Sequence, residues 1–184
     1  MVLRRLTIAA CALAALLGVA ACGNDKEQGV DEPAREGLAI PMGGIHYNVY
    51  ITRQLNLAIT PDKAYYAGPA PGPDQTLYGV FIVACNASDQ THPTASEFTV
   101  IDSQGHKFEP TPLPEDNPFA YQPQDLAPQE CIPQAGSVAQ LGPTAASMIL
   151  FRLPLSNTEN RPLLLEVQNP SSGEPRKVTF TLDL

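Results

Sequence analysis

The sequence predicts an all-β fold: an antiparallel sandwich of about seven to nine strands, following an N-terminal export segment. Three observations predict it. From about Leu38 onward the chain is a succession of short apolar or alternating runs, each bounded by proline or glycine. Behind the export segment, no window of about 11 residues carries a helical period. Nineteen prolines in 184 residues would interrupt a helix in most places.

In chain order, residues 1–21 read as a lipoprotein signal peptide. Arg4 and Arg5 give a positive start, Leu6 to Gly18 an apolar run, and Val19-Ala20-Ala21-Cys22 a small-residue cleavage box ending on a thiol. The run from Leu6 to Ala21 is shorter than the roughly 20 residues a membrane span needs. The expectation is cleavage before Cys22 and attachment of lipid, palmitate among its acyl chains, to that thiol. The protein would then stand on the extracytoplasmic face of the cell membrane. An ordinary secretory signal cut at the same place would leave Cys22 incidental. Residues 22–37 comprise Cys22 and a charged stretch almost free of apolar side chains. Such a stretch cannot offset its ordering entropy by burial, so it is expected to be a solvated tether with a reach of roughly 20 Å. Residues 38–184 are the expected sandwich domain.

Within the domain, Ile45, Tyr47, Val49 and Ile51 alternate with His46, Asn48, Tyr50 and Thr52, the period of a half-buried strand. Leu77 to Cys85 is apolar almost throughout, as in a central strand covered on both faces. Phe98 and Val100 lead through Asp102-Ser103-Gln104-Gly105 to Lys107-Phe108, a hairpin in which Asp102 starts the turn and Gly105 takes the left-handed position. Ser147 to Leu153 and Pro162 to Val167 are further apolar runs. Val178, Phe180, Leu182 and Leu184 alternate with polar residues in an amphipathic closing strand. An immunoglobulin-like arrangement suits this spacing, although the absence of tryptophan removes the packing hallmark of antibody domains.

Charge excludes some partners. Loss of residues 1–21 removes Arg4 and Arg5 and takes the formal net charge from −8 to −10. The positive residues that remain are scattered apart from Arg176-Lys177, so the dense basic surface that nucleic acid requires is missing. An anionic lipid surface is disfavoured for the same reason. Of the four cysteines, Cys11 leaves with the signal and Cys22 takes the lipid. Cys85 and Cys131 remain, and an exported protein favours a disulfide between them over two buried thiols or a metal pair. Closing a loop of that length is worth about 4 kcal/mol in the chain-entropy model.

The order of motifs also carries a resemblance. Tyr47-Asn48-Val49-Tyr50-Ile51 opens the domain, Leu77 to Asn86 follows, then Phe98 to Gly105 and Phe108, then Ser147 to Pro154 and Pro162 to Val167. This pattern resembles the immunoglobulin-like domains of unknown function on secreted proteins and lipoproteins of Gram-positive, including actinobacterial, bacteria. Their fold is shared with secreted immunoprotective antigens. The resemblance covers roughly residues 44–184. It implies a fold and a location, and it brings no catalytic residues with it. Two proline-rich insertions and the cysteine pair depart from the pattern.

Catalytic motifs are not evident. The three histidines, His46, His92 and His106, lack the close ligand spacing of a zinc or copper site. Met42 and His46, four apart, are the one combination a soft copper ion could use. No Gly-x-Ser-x-Gly elbow surrounds Ser137, the run from Asp102 to Glu109 lacks calcium-loop spacing, and Glu115-Asp116 lies in a proline-rich loop. The expectation is a non-enzymatic protein without cofactor or metal. Its candidate contacts lie in two loops. Pro61 to Gln75 carries Tyr65 and Tyr66, and Glu109 to Pro123 carries Phe119 and Tyr121. Proline lowers the entropic cost of binding, and aromatic rings anchor protein partners or stack on sugars. The same rings would equally serve to cap the sandwich core. Sequence therefore predicts an envelope binding module, with an extracytoplasmic small-ligand or metal carrier as the alternative.

Overall fold

A computed structural model describes residues 26–171 and 173–183. Cys22, the signal segment and the beginning of the expected tether lie outside the described residues, as does Leu184. The described chain is an all-β sandwich. Its elements are β1 (Ala34–Arg35), β2 (Ala39–Met42), β3 (Ile45–Gln54), α1 (Asp62–Tyr65), β4 (Gln75–Asn86), β5 (His92–Pro93), β6 (Glu97–Ile101), β7 (Lys107–Phe108), β8 (Asp125–Leu126), β9 (Cys131–Ile132), α2 (Val138–Leu141), β10 (Ser147–Pro154), α3 (Leu155–Thr158), β11 (Leu163–Gln168) and β12 (Lys177–Leu182). The longer strands fall where the sequence patterns place them. The helices are single turns, as the missing helical period requires.

One sheet has the order β1-β12-β11-β6-β7 and the other β10-β4-β3-β2, with β9 pairing to β4 beyond the end of β10; β5 and β8 form a separate ribbon. All pairings among these strands are antiparallel except β1 against β12. Between the sheets lies the main core. Tyr47, Val80, Ile82 and Phe151 contribute from one side, Leu165, Val167, Val178 and Phe180 from the other. Each such side chain contributes about 1.5–3 kcal/mol by leaving water.

The continuous apolar run of β4 has a structural cause. Its even-numbered residues Tyr78, Val80 and Ile82 face the main core, while Leu77 and Phe81 face a second core on the outside of the sheet. Met148 and Leu150 of β10 join that second core, and the two proline-rich loops roof it. The strand is therefore buried on both faces in an antiparallel sheet, without the helices that cover parallel ones.

Alternation in β3 breaks once. The register to β4 shifts between Val49 and Ile51, so Tyr50 is the extra residue of a β-bulge. Beyond it the faces exchange: Ile51 is 40% exposed and Thr52 is buried. The expected inward Ile51 and outward Thr52 are thus corrected, because one inserted residue inverts a period of two. The β2–β3 hairpin turns on Gly43 and Gly44, both at positive φ (59° and 83°), which a tight two-residue turn demands. A Cβ on Gly44 would lie 2.5 Å from the His92 ring.

Both open sides of the sandwich are closed by irregular chain. On the β12/β2 side, Gly29 accepts a hydrogen bond from Thr179 N (2.7 Å), β1 pairs with Phe180 and Thr181, and Ala34 is fully buried. A Cβ on Gly29 would meet the Ile40 side chain of β2 at 2.5 Å, so the segment wedges between the two edge strands. The expectation of a solvated tether through residue 37 is corrected here. The folded unit includes residues 29–36, because backbone pairing and the small side chain of Ala34 supply what their polar composition lacks. On the opposite side, residues 110–121 lie along the free edge of β10. The exposed templates that edge strands present are thereby blunted.

Cys85 and Cys131 face each other across the β4–β9 pair and are joined in a disulfide, Cα–Cα 4.1 Å. The pairing expected from the compartment is present. Asn86, part of an Asn-x-Ser triplet, is buried and donates to the carbonyls of Gln90 (2.6 Å) and Leu126 (2.8 Å), so its amide is committed to the fold.

Candidate functional site: a groove beside β10

The four loop rings divide into wall and core. Tyr65 is fully buried, and Tyr66, Phe119 and Tyr121 are nearly so. Tyr65 packs edge-to-face on Phe81 (4.8 Å between centroids) and on Phe119 (4.9 Å). Asn117 joins the two loops by donating to Tyr65 O and accepting from Phe119 N, both 2.9 Å. Asp62 fixes α1 by accepting from Arg53 Nη2 (2.7 Å) and from Asn56 N (3.0 Å). Tyr65, Tyr66 and Phe119 are therefore corrected from partner-contact residues to the roof of the second core. The loops are rich in proline because a roof without regular pairing must be stiff by other means.

The loop from Glu109 to Pro123 nevertheless builds a concave surface. Its first part bonds to β10 through Thr111 N to Leu150 O (2.7 Å). Its second part bonds through Met148 N to Phe119 O (2.6 Å) and Tyr121 N to Met148 O (2.9 Å). The two attachments run in opposite senses, antiparallel at Pro110 and parallel at Ala120. They straddle a groove of about 230 Å³ walled by Phe98, Pro110, Pro112, Leu113, Tyr121 and Pro123, with Ser96, Thr111 and Gln122 as its polar side chains.

Tyr121 is locked in that wall. Its ring stands edge-on to Phe98 (5.0 Å, 78°), and its hydroxyl donates to Ala95 O (3.2 Å). Tyr47 Oη accepts from Ala95 N (2.7 Å) on the other side of the same residue. Burial pushes the Tyr47 phenol up to about 12 and raises that of Tyr121 as well, so both stay neutral. The groove offers apolar walls and a few hydroxyl and amide groups. None of its lining residues carries a charge at neutral pH.

A second polar cluster lies at the β6–β7 turn. The fully buried Asp102 carboxylate accepts from Gln104 N, His106 N, Asn157 Nδ2 and Asn160 Nδ2, all at 2.9 Å, and meets His106 Nδ1 at 2.8 Å. Burial alone would raise its pKa. The side-chain bonds of Asn157, Asn160 and His106 outweigh that, and the group is held well below the usual carboxylate range. Asp102 starts the turn as the sequence implies. Asn157 and Asn160 were not legible as its partners, because they lie 55 and 58 residues further along the chain, one in α3 and the other just past its end.

The remaining sequence candidates do not converge. Met42 is buried between the sheets, whereas His46, opposite Cys85 and Pro41, is exposed on the outer face. Among the described residues no group of three or more His, Cys, Asp or Glu side chains is placed to hold a metal ion. No helix among them is long and apolar enough to cross a membrane.

No protein-family profile matches the chain, and no curated protein matches it. Solved structures do. The yjhA protein of Bacillus subtilis is similar over 82% of this chain and 99% of its own, with 12% identity and a TM-score of 0.53. An uncharacterised β-sandwich protein of Clostridium difficile 630 is similar over 83% of this chain and 95% of its own (12% identity, TM-score 0.48). A candidate lipoprotein of Bacillus subtilis, ycdA, is similar over 79% of this chain and 38% of its own (13% identity, TM-score 0.48). At this identity the likeness is one of fold.

Proposed function

We propose that the protein is a lipid-anchored module on the extracytoplasmic face of the cell membrane, and that it binds another envelope protein through the groove beside β10 without catalysing a reaction. One observation carries this reading. The groove opens on the β7/β10 side of the sandwich, while the N-terminal arm docks on the β1/β2 side. The concave surface is thus presented away from the anchored end. Its volume lies below the roughly 300–1,000 Å³ of small-molecule sites and suits one or two apolar side chains of a partner. Stiff proline walls lose little entropy when such a group enters.

The test places the wall residues Pro112 and Gln122, neither of them in a core, under substitution. In cells carrying the membrane-bound protein, P112R with Q122R is expected to cut cross-linked recovery of a specific partner by about tenfold or more. Thermal stability should change little. Undiminished recovery of the same partner would remove the groove from the reading. A panel of envelope glycans and of zinc and copper, scored by thermal shift, tests the carrier alternative on the same samples.

A further inference from the structure

Of the eight large apolar side chains exposed among the described residues, Ile59, Val138, Leu141 and Leu155 stand on the α1 loop, α2 and α3, and the other four share one side of the sandwich. Val30 (41% exposed) belongs to the arm, Leu38 (39%) to the link just before β2, and Tyr50 (48%) and Ile51 (40%) to the adjoining bulge of β3. Pro33 and Pro41 lie on the same segments, with Pro41 exposed. Backbone contacts hold these pieces together: Gly37 N donates to Val49 O, Ala39 pairs with Asn48, and Gly29 abuts Ile40. Tyr50 faces outward by alternation, and the bulge turns Ile51 out beside it, both staying exposed although Ile51 pairs with Phe81 at the border of the second core.

The anchor point is near. Lys26 follows Cys22 by four positions, a reach of at most about 14 Å. The arm is docked from Gly29, so the tether is far shorter than its composition alone suggests. We propose that the side formed by the arm, β2 and the β3 bulge rests on the bilayer surface, with Tyr50 and Ile51 at headgroup depth. This rests on the lipid-anchored reading above.

The chemistry fits a neutral interface. Tyrosine has an apolar body and a polar tip, the pairing enriched at that depth. Lys26 and Glu32 on the arm form an ion pair, while Glu27 and Asp31 beside them are exposed carboxylates that give no preference for anionic lipid. The acidic whole has no need of anionic lipid, because a short covalent tether makes contact effectively intramolecular and lets a weak apolar patch suffice.

The chain contains no tryptophan, so each substitution gives a single indole reporter. Tyr50→Trp and, on the opposite edge, Lys107→Trp are made in the full chain, purified with its lipid, and placed in phosphatidylcholine vesicles with brominated acyl chains. Intact mass on the same sample reports the lipid. The indole of the Tyr50→Trp chain is expected to lose about twofold or more of its emission relative to unbrominated vesicles and to shift to the blue, while that of the Lys107→Trp chain does neither. Equal quenching in the two chains, or none in a Tyr50→Trp chain bearing its lipid, overturns the orientation and leaves the anchor standing. A chain without the lipid mass overturns the anchored reading and this one with it. A Cys22→Ser chain that dimerises in solution, and ceases to once Tyr50→Ser is added, overturns the proposal by making the face a contact between copies.

Discussion

Asp102 shows how one buried carboxylate sets a pH limit on the fold. Its proton affinity is lower in the folded state than in the unfolded chain, where the group titrates near 4. The stabilisation is therefore complete above about pH 4 and fades as the pH falls toward the depressed folded value. Asp102→Asn is expected to lower the melting temperature at neutral pH and to flatten the acid limb of stability, measured by thermal melts from about pH 2 to 7. Tyr65 presents the converse case. Its Oη is buried with no hydrogen-bond partner among the described residues. Tyr65→Phe removes that orphan while keeping the ring contacts, and is expected to raise stability by about 1 kcal/mol in urea denaturation.

At the scale of elements, patterns that depend on neighbours in sequence were legible and those that depend on distant chain were not. Strands β3, β4, β6, β10, β11 and β12 follow from alternation or apolar runs. The hairpin at Asp102 follows from turn chemistry, and the Cys85–Cys131 bond from compartment and parity. The two-residue strands β5, β8 and β9 carry no period, because their pairing is dictated by strands far along the chain. The bulge at Tyr50 is equally silent, since alternation in the letters continues through it. For the loops, composition left binding and capping open, and packing decides: three rings roof the second core and Tyr121 walls the groove. Phe119→Ala is accordingly expected to cost about 3 kcal/mol in urea denaturation, the effect of an emptied aromatic site rather than of a lost partner.

At the scale of the whole molecule, the sandwich is finished on its two sides by pieces that are not part of either sheet's long strands. The arm closes the β12/β2 side and the 110–121 loop closes the β10 side. A chain truncated to begin at Gly37 is expected to lose about 2 kcal/mol or more of stability and to self-associate through the bared edge of β12, as sedimentation would report. The same arm has a mechanical meaning. A load applied between the N-terminal end and a partner in the groove would reach the sandwich through β1, whose register to β12 is only two residues long. With the Gly29–Thr179 hydrogen bond, that contact is the first joint the load meets. It would part before the β3–β4–β10 core and release residues 26–36, roughly 35 Å of contour, as slack. Under the anchored reading proposed above, the domain would thereby extend under tension by giving up its arm with both sheets' long strands intact, and shorten again when the strain is gone.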